Sequence, residues 1–279
     1  MRTARNGIAL AVGTLTRIPV RPPDRVDRQV AGFAMSFAPV VGLLLAVLIG
    51  VPMAGLAWAL GASDSPLACT LIAVLAIAGL AWLTRGLHLD GLADLADALG
   101  SGRPAEQALA IARRSDIGPF GTSAMLLALL LQVAALGLLI ADGFGIPALA
   151  ATLIASRLGL TWACTPNWPP ARADGLGATV AQSTSTLTAG LVTGVLLGLS
   201  VVSGWYLDAS SDAIGLSTLT MPFAVIAALG AAWTVCRIAT RRLGGITGDV
   251  LGGCVEWAMT CGLVAAALLG SEGPFTVGA

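Results

Sequence analysis

The sequence predicts an all-α, polytopic transmembrane bundle of about seven spans, and three observations predict it. The 279 residues are 56% hydrophobic and 11% charged, with a mean hydropathy of +0.87; a soluble domain of this size carries about a quarter charged residues. Uncharged windows recur at 29–63, 65–84, 117–141, 175–207 and 213–236, each long enough for a bilayer-crossing helix of about 20 residues. Two more windows, 143–171 and 250–271, are each interrupted by one ionisable residue, Arg157 and Glu256. A single soluble core cannot hide so much apolar surface.

Taken in order, the chain reads as one integral-membrane domain, 1–279. Its N-terminal segment, 1–32, opens with Arg2, Arg5 and "GIALAVGTLT", which resembles the charged and apolar regions of a signal peptide. The apolar run is short, however, and "RIPVRPPDR" follows in place of a small-residue cleavage site. An uncleaved interfacial or re-entrant segment is expected. Spans follow at about 33–59, 66–84, 122–141, 147–164, 187–206, 216–236 and 250–270. The first carries Pro39 and Pro52, either of which could break it.

The loops fall into two alternating sets. Segments 1–32, 85–121, 165–186 and 237–249 hold fourteen of the fifteen basic residues, all of them arginine. The segments 60–65, 142–146, 207–215 and the tail from 271 hold Asp64, Asp142, Asp208, Asp212 and Glu272 and no arginine. The positive-inside rule then puts the N-terminus in the cytoplasm and the C-terminus outside. Trp58, Trp82, Trp162 and Trp205 fall near span ends, where indole rings suit the interface. The five cysteines sit in apolar segments without metal-ligand spacing and read as small core residues. The net charge is zero, and no nucleic-acid partner is expected.

Chemistry concentrates in the arginine-rich loops. "LHLDGLADLADALG" (87–100) holds the single histidine, His88, and three aspartates. On a helix Asp90, Asp94 and Asp97 are spaced i, i+4, i+7 and share a face, with His88 on another side. Carboxylates so close stay ionised together only when cations neutralise them. Oxygen-only ligands favour Mg²⁺ or Mn²⁺ over Zn²⁺, with positions left for phosphate oxygens. Gly91 would leave room for a ligand to approach the backbone. The plain alternative is a solvated acidic face; the metal reading is preferred because the triad abuts a span in an acid-poor chain.

"ARRSDIGPFGT" (112–122) supplies Arg113 and Arg114 ahead of Asp116. Together with Arg85 these guanidinium groups suit phosphate, or they serve only as positive-inside anchors. "RRLGGITGDVLGGCVEW" (241–257) places glycines, among them Gly245 and Gly248, around Thr247 and Asp249. A glycine-rich turn into a helix can offer N–H groups to an anion; close helix packing through small residues is the alternative. Glu256 would be a buried partner. "TPNWPPARADGLGA" (165–178) adds Arg172 and Asp174. Arg157, costly in lipid, should face the site.

With these stretches in hand, the chain resembles the cobalamin synthase, or adenosylcobinamide-GDP ribazoletransferase, family. "LTRIPV" (15–20), "GLHLDGLADLADAL" (86–99), "ARADGLGA" (171–178) and "GGITGDVLG" (244–252) match family stretches in order. One departure stands out: the family often reads "RDSxxGxxG" where Arg113, Arg114, Ser115 and Asp116 occur here, so the acidic residue is displaced by two positions. The resemblance implies a Mg²⁺-dependent transferase of the bacterial inner membrane with a cytoplasmic active site. It would join adenosylcobinamide-GDP to α-ribazole, or to its 5′-phosphate, and release GMP. It implies roles for Asp90, Asp94, Asp97 and Asp249, and for Arg113 or Asp116. A homo-oligomer or an association with other pathway enzymes is conceivable.

Two rivals were weighed. A CDP-alcohol phosphotransferase also puts aspartates at a membrane surface, but Asp94-Leu95 stands where its pattern has Ala-Arg, and no aspartate occurs between 97 and 116. A secondary transporter predicts ionisable residues at the midplane and repeated halves. The acids cluster at one face instead, and no repeat is visible.

Overall fold

The structure is a computed structural model that describes residues 2–62, 65–114, 116–210 and 216–270. Among the described residues all regular elements are helices: α1 (Arg2–Leu15), α2 (Arg28–Ala59), α3 (Pro66–Leu83), α4 (Leu87–Gly100), α5 (Ala105–Ile111), α6 (Pro119–Ala141), α7 (Gly145–Ala163), α8 (Gly175–Val180), α9 (Thr186–Ser210), α10 (Leu216–Leu243) and α11 (Gly248–Gly270). Seven of them, α2, α3, α6, α7, α9, α10 and α11, are long and apolar enough to cross a membrane. Asp64, Asp212 and Glu272, which the sequence places in the arginine-free loops, lie outside the described residues, as does Ser115.

Local chemistry explains the element ends. Asp27 accepts the Val30 N–H at 2.9 Å and Ser65 accepts that of Ala68 at 3.3 Å, capping α2 and α3. Pro66 and Pro119 stand in the first turns of α3 and α6, where a missing N–H costs nothing. Despite Pro39 and Pro52, α2 runs unbroken over its 32 residues. The turn between α3 and α4 is unusual. Gly86 N–H bonds to Ala81 O at 2.8 Å and Arg85 N–H to Trp82 O at 3.2 Å, a Schellman end to α3. Its left-handed position is held by Arg85 (φ 58°), not glycine, at some cost in strain. The Arg85 guanidinium offsets that cost by donating to the Gly13 and Thr14 carbonyls at 2.9 and 3.2 Å. It thereby ties the end of α1 to the end of α3.

α1 is too short to cross a bilayer; it lies against α2 and buries Asn6, Gly7, Ala11 and Leu15. α11 is central, packed by α10, α4, α7 and α6. Its crossing stretch is 78% buried, against 22% for α9, whose outer face is left for lipid. One sequence boundary moves: the loop expected at 237–249 is helical up to Leu243. The connection at 85–121 contains the helix expected for its aspartates, α4, followed by α5. Both segments carry enough helix formers to extend or nucleate helices once neighbours pack on them.

The seven crossings make a simple topological prediction. Single cysteines introduced at Arg103, between α4 and α5, and at Gly143, in the α6–α7 turn, should react with an impermeant reagent from opposite sides of sealed vesicles. Labelling of both from one side would remove α6 as a crossing.

Candidate active site

The site begins where α4 crosses α11. A Cβ on Gly252 would lie 2.9 Å from the Gly91 Cα and 3.2 Å from the His88 carbonyl oxygen. One on Gly91 would lie 3.0 Å from the Gly252 Cα and 3.1 Å from the Asp249 carbonyl oxygen. The two helices touch backbone to backbone, as small residues permit. One side of Gly91 is covered by α11, while Gly91 also lines a cavity shared with Asp90 and Asp249. Of the two readings of the late glycine motif, packing therefore describes Gly252.

This crossing sets the acids of α4 beside the first turn of α11. There Thr247 accepts the Val250 N–H at 3.2 Å as an N-cap and donates to Asp249 at 3.3 Å. Asp90 is exposed, Asp94 half-buried and Asp97 buried. The shared face predicted from spacing exists, but it slopes from water into the bundle. Asp97 is fully engaged: it accepts the Gly118 N–H at 2.7 Å and the Gly121 N–H at 2.9 Å. It thus caps α6 from a neighbouring helix.

Asp94 is pushed up to about 6, first by burial and then by the charges of Asp90, Asp249 and Asp97. Among the described residues neither Asp90 nor Asp94 forms an ion pair. The same residues contain no group of three or more ligating side chains placed to hold a metal by themselves. Mg²⁺ commonly takes only one or two carboxylates and completes its shell with water and phosphate oxygens. Mutually repelling acids without an arginine partner fit that mode.

The opposite wall is basic. Ile246 N–H bonds to Pro169 O at 2.8 Å and Ala171 N–H to Ile246 O at 3.0 Å, so the 165–174 loop is zipped to the glycine-rich turn. Gly245 permits the approach, since a Cβ there would overlap the Pro169 oxygen. The zipper sets Arg172 beside Arg113. Arg113 donates to both carboxylate oxygens of Asp174 at 2.9 and 3.0 Å, and Arg172 bonds the Leu109 carbonyl. Burial, and then the like charge of Arg113, pull Arg172 below the usual arginine range. A pocket of about 300 Å³ is lined by Arg113, Arg172, Thr247, Gly248 and Asp249. Two guanidinium groups and a helix N-terminus thus lie across from the acids, donors of a kind that can pair with phosphate oxygens.

Not every expected residue joins it. Arg85 is engaged with the end of α1; Arg114 and Asp116 are exposed. Arg157 is buried, bonded to Ser156 at 2.9 Å, with its Nε unpartnered. Glu256 accepts from Gln132 at 3.0 Å, and Gln132 also reaches Thr260 at 2.9 Å. These groups form a polar layer beneath the acids. Gln132 carried no signal in the sequence beyond being a lone amide in an apolar span. His88 is only 3% exposed and neither ring nitrogen has a partner. Burial, and then the charge of Arg157, lower it to about 3, so the imidazole is neutral. It lines a cavity of about 110 Å³ that also reaches Asp90 and Asp249.

Comparison with known proteins identifies the family. The family model for cobalamin-5-phosphate synthase matches residues 7–267. The chain is similar to proteins named adenosylcobinamide-GDP ribazoletransferase. That of Frankia casuarinae is 41% identical over 244 residues, covering 87% of each chain. That of a Nocardioides species is 38% identical over 262 residues, covering 94% of this chain and 98% of the relative. That of Pseudomonas paraeruginosa is 36% identical over 270 residues, covering 96% and 100%. No solved structure matches.

The acids should separate on mutation. Asp97→Asn can accept only one of its two N–H groups and should cost about 1–3 kcal/mol, seen as a lower melting temperature. Asp90→Asn, exposed and repelled by its neighbours, should leave the melting temperature unchanged. Equal melting of the two variants would contradict the capping role.

Proposed function

The chain belongs to the cobalamin-5-phosphate synthase family, and from that premise we propose that it joins adenosylcobinamide-GDP to α-ribazole with release of GMP. The observation that carries this reading is the acid pair of α4 brought against Asp249, across from Arg113 and Arg172. Asp90 and Asp94 would hold Mg²⁺ beside Asp249, with water and phosphate oxygens completing its shell and Mn²⁺ able to replace it. The metal, when bound, neutralises charge on the diphosphate and on departing GMP. Arg172, Arg113 and the first turn of α11 then hold the remaining phosphate oxygens and fix the diphosphate in line for displacement.

A ribose hydroxyl of α-ribazole attacks the phosphorus that bears cobinamide; the new P–O bond forms as the bond to GMP breaks. When the substrate is α-ribazole 5′-phosphate, that phosphate is carried through intact, giving adenosylcobalamin 5′-phosphate. Asp94, whose pKa burial and then its acidic neighbours raise to about 6, is the best-placed acceptor of the hydroxyl proton when it is ionised and not bound to metal. The arginine-rich loops support a cytoplasmic site in a multi-pass protein of a bacterial inner membrane.

Purified protein given adenosylcobinamide-GDP, α-ribazole and Mg²⁺ should release GMP, lose that activity in EDTA, and regain it with Mg²⁺ or Mn²⁺ but poorly with Zn²⁺. Asp90→Asn and Asp94→Asn should each lower turnover by about a hundredfold or more, with excess Mg²⁺ restoring part of it. Undiminished GMP release after exhaustive chelation would overturn the metal assignment.

The raised Asp94 also fixes a pH dependence. Its folded pKa of about 6 lies above the ordinary 3.8, so above pH 6 the fold carries the cost of an ionised, repelled carboxylate. That cost is relieved as pH falls through 6, and apo-protein stability should rise there. Metal binding runs the other way, since the proton competes with the cation. The apparent Mg²⁺ affinity should weaken by up to about tenfold per pH unit below 6. A flat Mg²⁺ affinity from pH 5 to 7 would exclude Asp94 as a ligand.

A further inference from the structure

A cavity and a buried side chain on its wall take no part in the reaction scheme above. The cavity lies behind the acids and is lined by Thr14 and Leu15 of α1, Met35 of α2, His88 of α4, Leu160 of α7 and Leu251 of α11. Its wall is mostly aliphatic. His88 is the exception: an imidazole carries one N–H donor and one acceptor nitrogen, and here both are buried without a partner. Buried polar groups are nearly always paired, so an unpaired ring on a cavity wall points to a ligand that pairs with it. The space of about 110 Å³ admits several waters or the edge of a flat ring, somewhat less than the roughly 150 Å³ that encloses a whole benzene. The space opens past exposed Asp90, so a larger base enters by one edge. Asp90 and Asp249 line the same cavity, so whatever occupies it lies beside the proposed cation site.

We propose that this cavity seats the heteroaromatic base of the α-ribazole substrate, with the His88 N–H donating to the imino nitrogen of that base. The assignment rests on the proposed transferase reaction and identifies where its nucleophile binds. The chemistry favours α-ribazole over the guanine of the other substrate. Benzimidazole is a flat bicyclic ring with one polar edge atom, an acceptor; its remaining edge is hydrocarbon and suits Leu15, Met35, Leu160 and Leu251. Guanine carries donors and acceptors around its rim, most of which would go unpaired here at a large cost. A base seated against His88 puts its ribose toward Asp90 and Asp249, where a sugar hydroxyl meets the diphosphate. His88 is thus a specificity residue for the nucleophile, and the proton of the reaction does not pass through it.

The test uses two ribosides that share the ribose and its hydroxyls: α-ribazole, and the indole riboside in which the imino nitrogen is replaced by C–H. Wild-type protein should show a KM for the indole riboside about tenfold or more above that for α-ribazole, because the buried N–H of His88 loses its acceptor. His88→Phe keeps a flat ring without a donor. It should raise the α-ribazole KM by a similar factor, erase the preference between the ribosides, and leave the KM for adenosylcobinamide-GDP within about twofold. His88→Gln, which retains a donor, should restore part of the preference. Three results would each overturn the assignment: equal KM values for the two ribosides with wild type, a preference that survives His88→Phe, or a rise confined to adenosylcobinamide-GDP. Riboside affinities measured by calorimetry, without the second substrate, separate this question from the reaction. Absence of GMP release would reject the reaction itself, whereas equal affinities would reject the seat alone.

Discussion

The bare backbone contact between Gly91 and Gly252 is the constraint on which the rest of the site depends. Both are mid-helix positions where glycine costs about 1 kcal/mol relative to alanine, and neither has an unusual backbone angle to explain it. What explains them is distance: any Cβ at either position meets the opposing backbone at 3.0 Å or less. Because the helices cross so closely, the Asp90 and Asp94 carboxylates of α4 come within electrostatic range of Asp249. The same crossing turns His88 inward toward the cavity shared with Leu251 and Gly252. A methyl group at either position would push α4 outward and open all of these contacts at once.

Like charges held at a helix crossing need a frame that does not yield. Asp97 supplies part of it, because the third carboxylate of the motif spends both oxygens on the N-terminus of α6. α4 is thereby fixed at two places, against α11 through its glycines and against α6 through Asp97. One helical face carries three aspartates in graded surroundings, and the gradient assigns the roles. The exposed and half-buried members stay available to a cation, while the buried member is a structural anchor.

The sequence made the spans, their number and the family motifs legible, since long apolar windows and the acidic stretch are signals that survive without a structure. It also placed His88 off the carboxylate face. Helix spacing alone gave the three aspartates equal standing. It could not show that Gly118 and Gly121 present unpaired N–H groups beside Asp97, because that partnership spans more than twenty residues and depends on the packing of α6 on α4. Arg85 misled for a similar reason: a guanidinium near an acidic motif reads as a phosphate ligand, yet it holds a left-handed turn and two α1 carbonyls. The contact of Gly91 with α11 was out of reach in the same way, because Gly252 lies about 160 positions later in sequence, where only tertiary packing could place it. The late glycine motif singled out Asp249 in the sequence, but only the packing of α11 on α4 sets it beside Asp90 and Asp94.

A reaction between polar substrates gains from a membrane-embedded frame through rigidity. Soluble loops that gather repelling carboxylates can relieve the strain by moving apart. Here the acids are mounted on a short helix clamped between α6 and α11, and α11 is the most buried of the seven candidate crossings. Below the acids, the charges of Arg157 and Glu256 interact, and Glu256 is bonded through Gln132 to Thr260. These polar contacts lie among apolar helices, where an unpaired group is costly and paired ones resist rearrangement. Separating α4 from α11 would break the glycine contact and expose the buried layer together. The acids therefore keep their spacing with or without a cation, and much of the cost of organising the site is met when the protein folds in the bilayer, before substrate arrives.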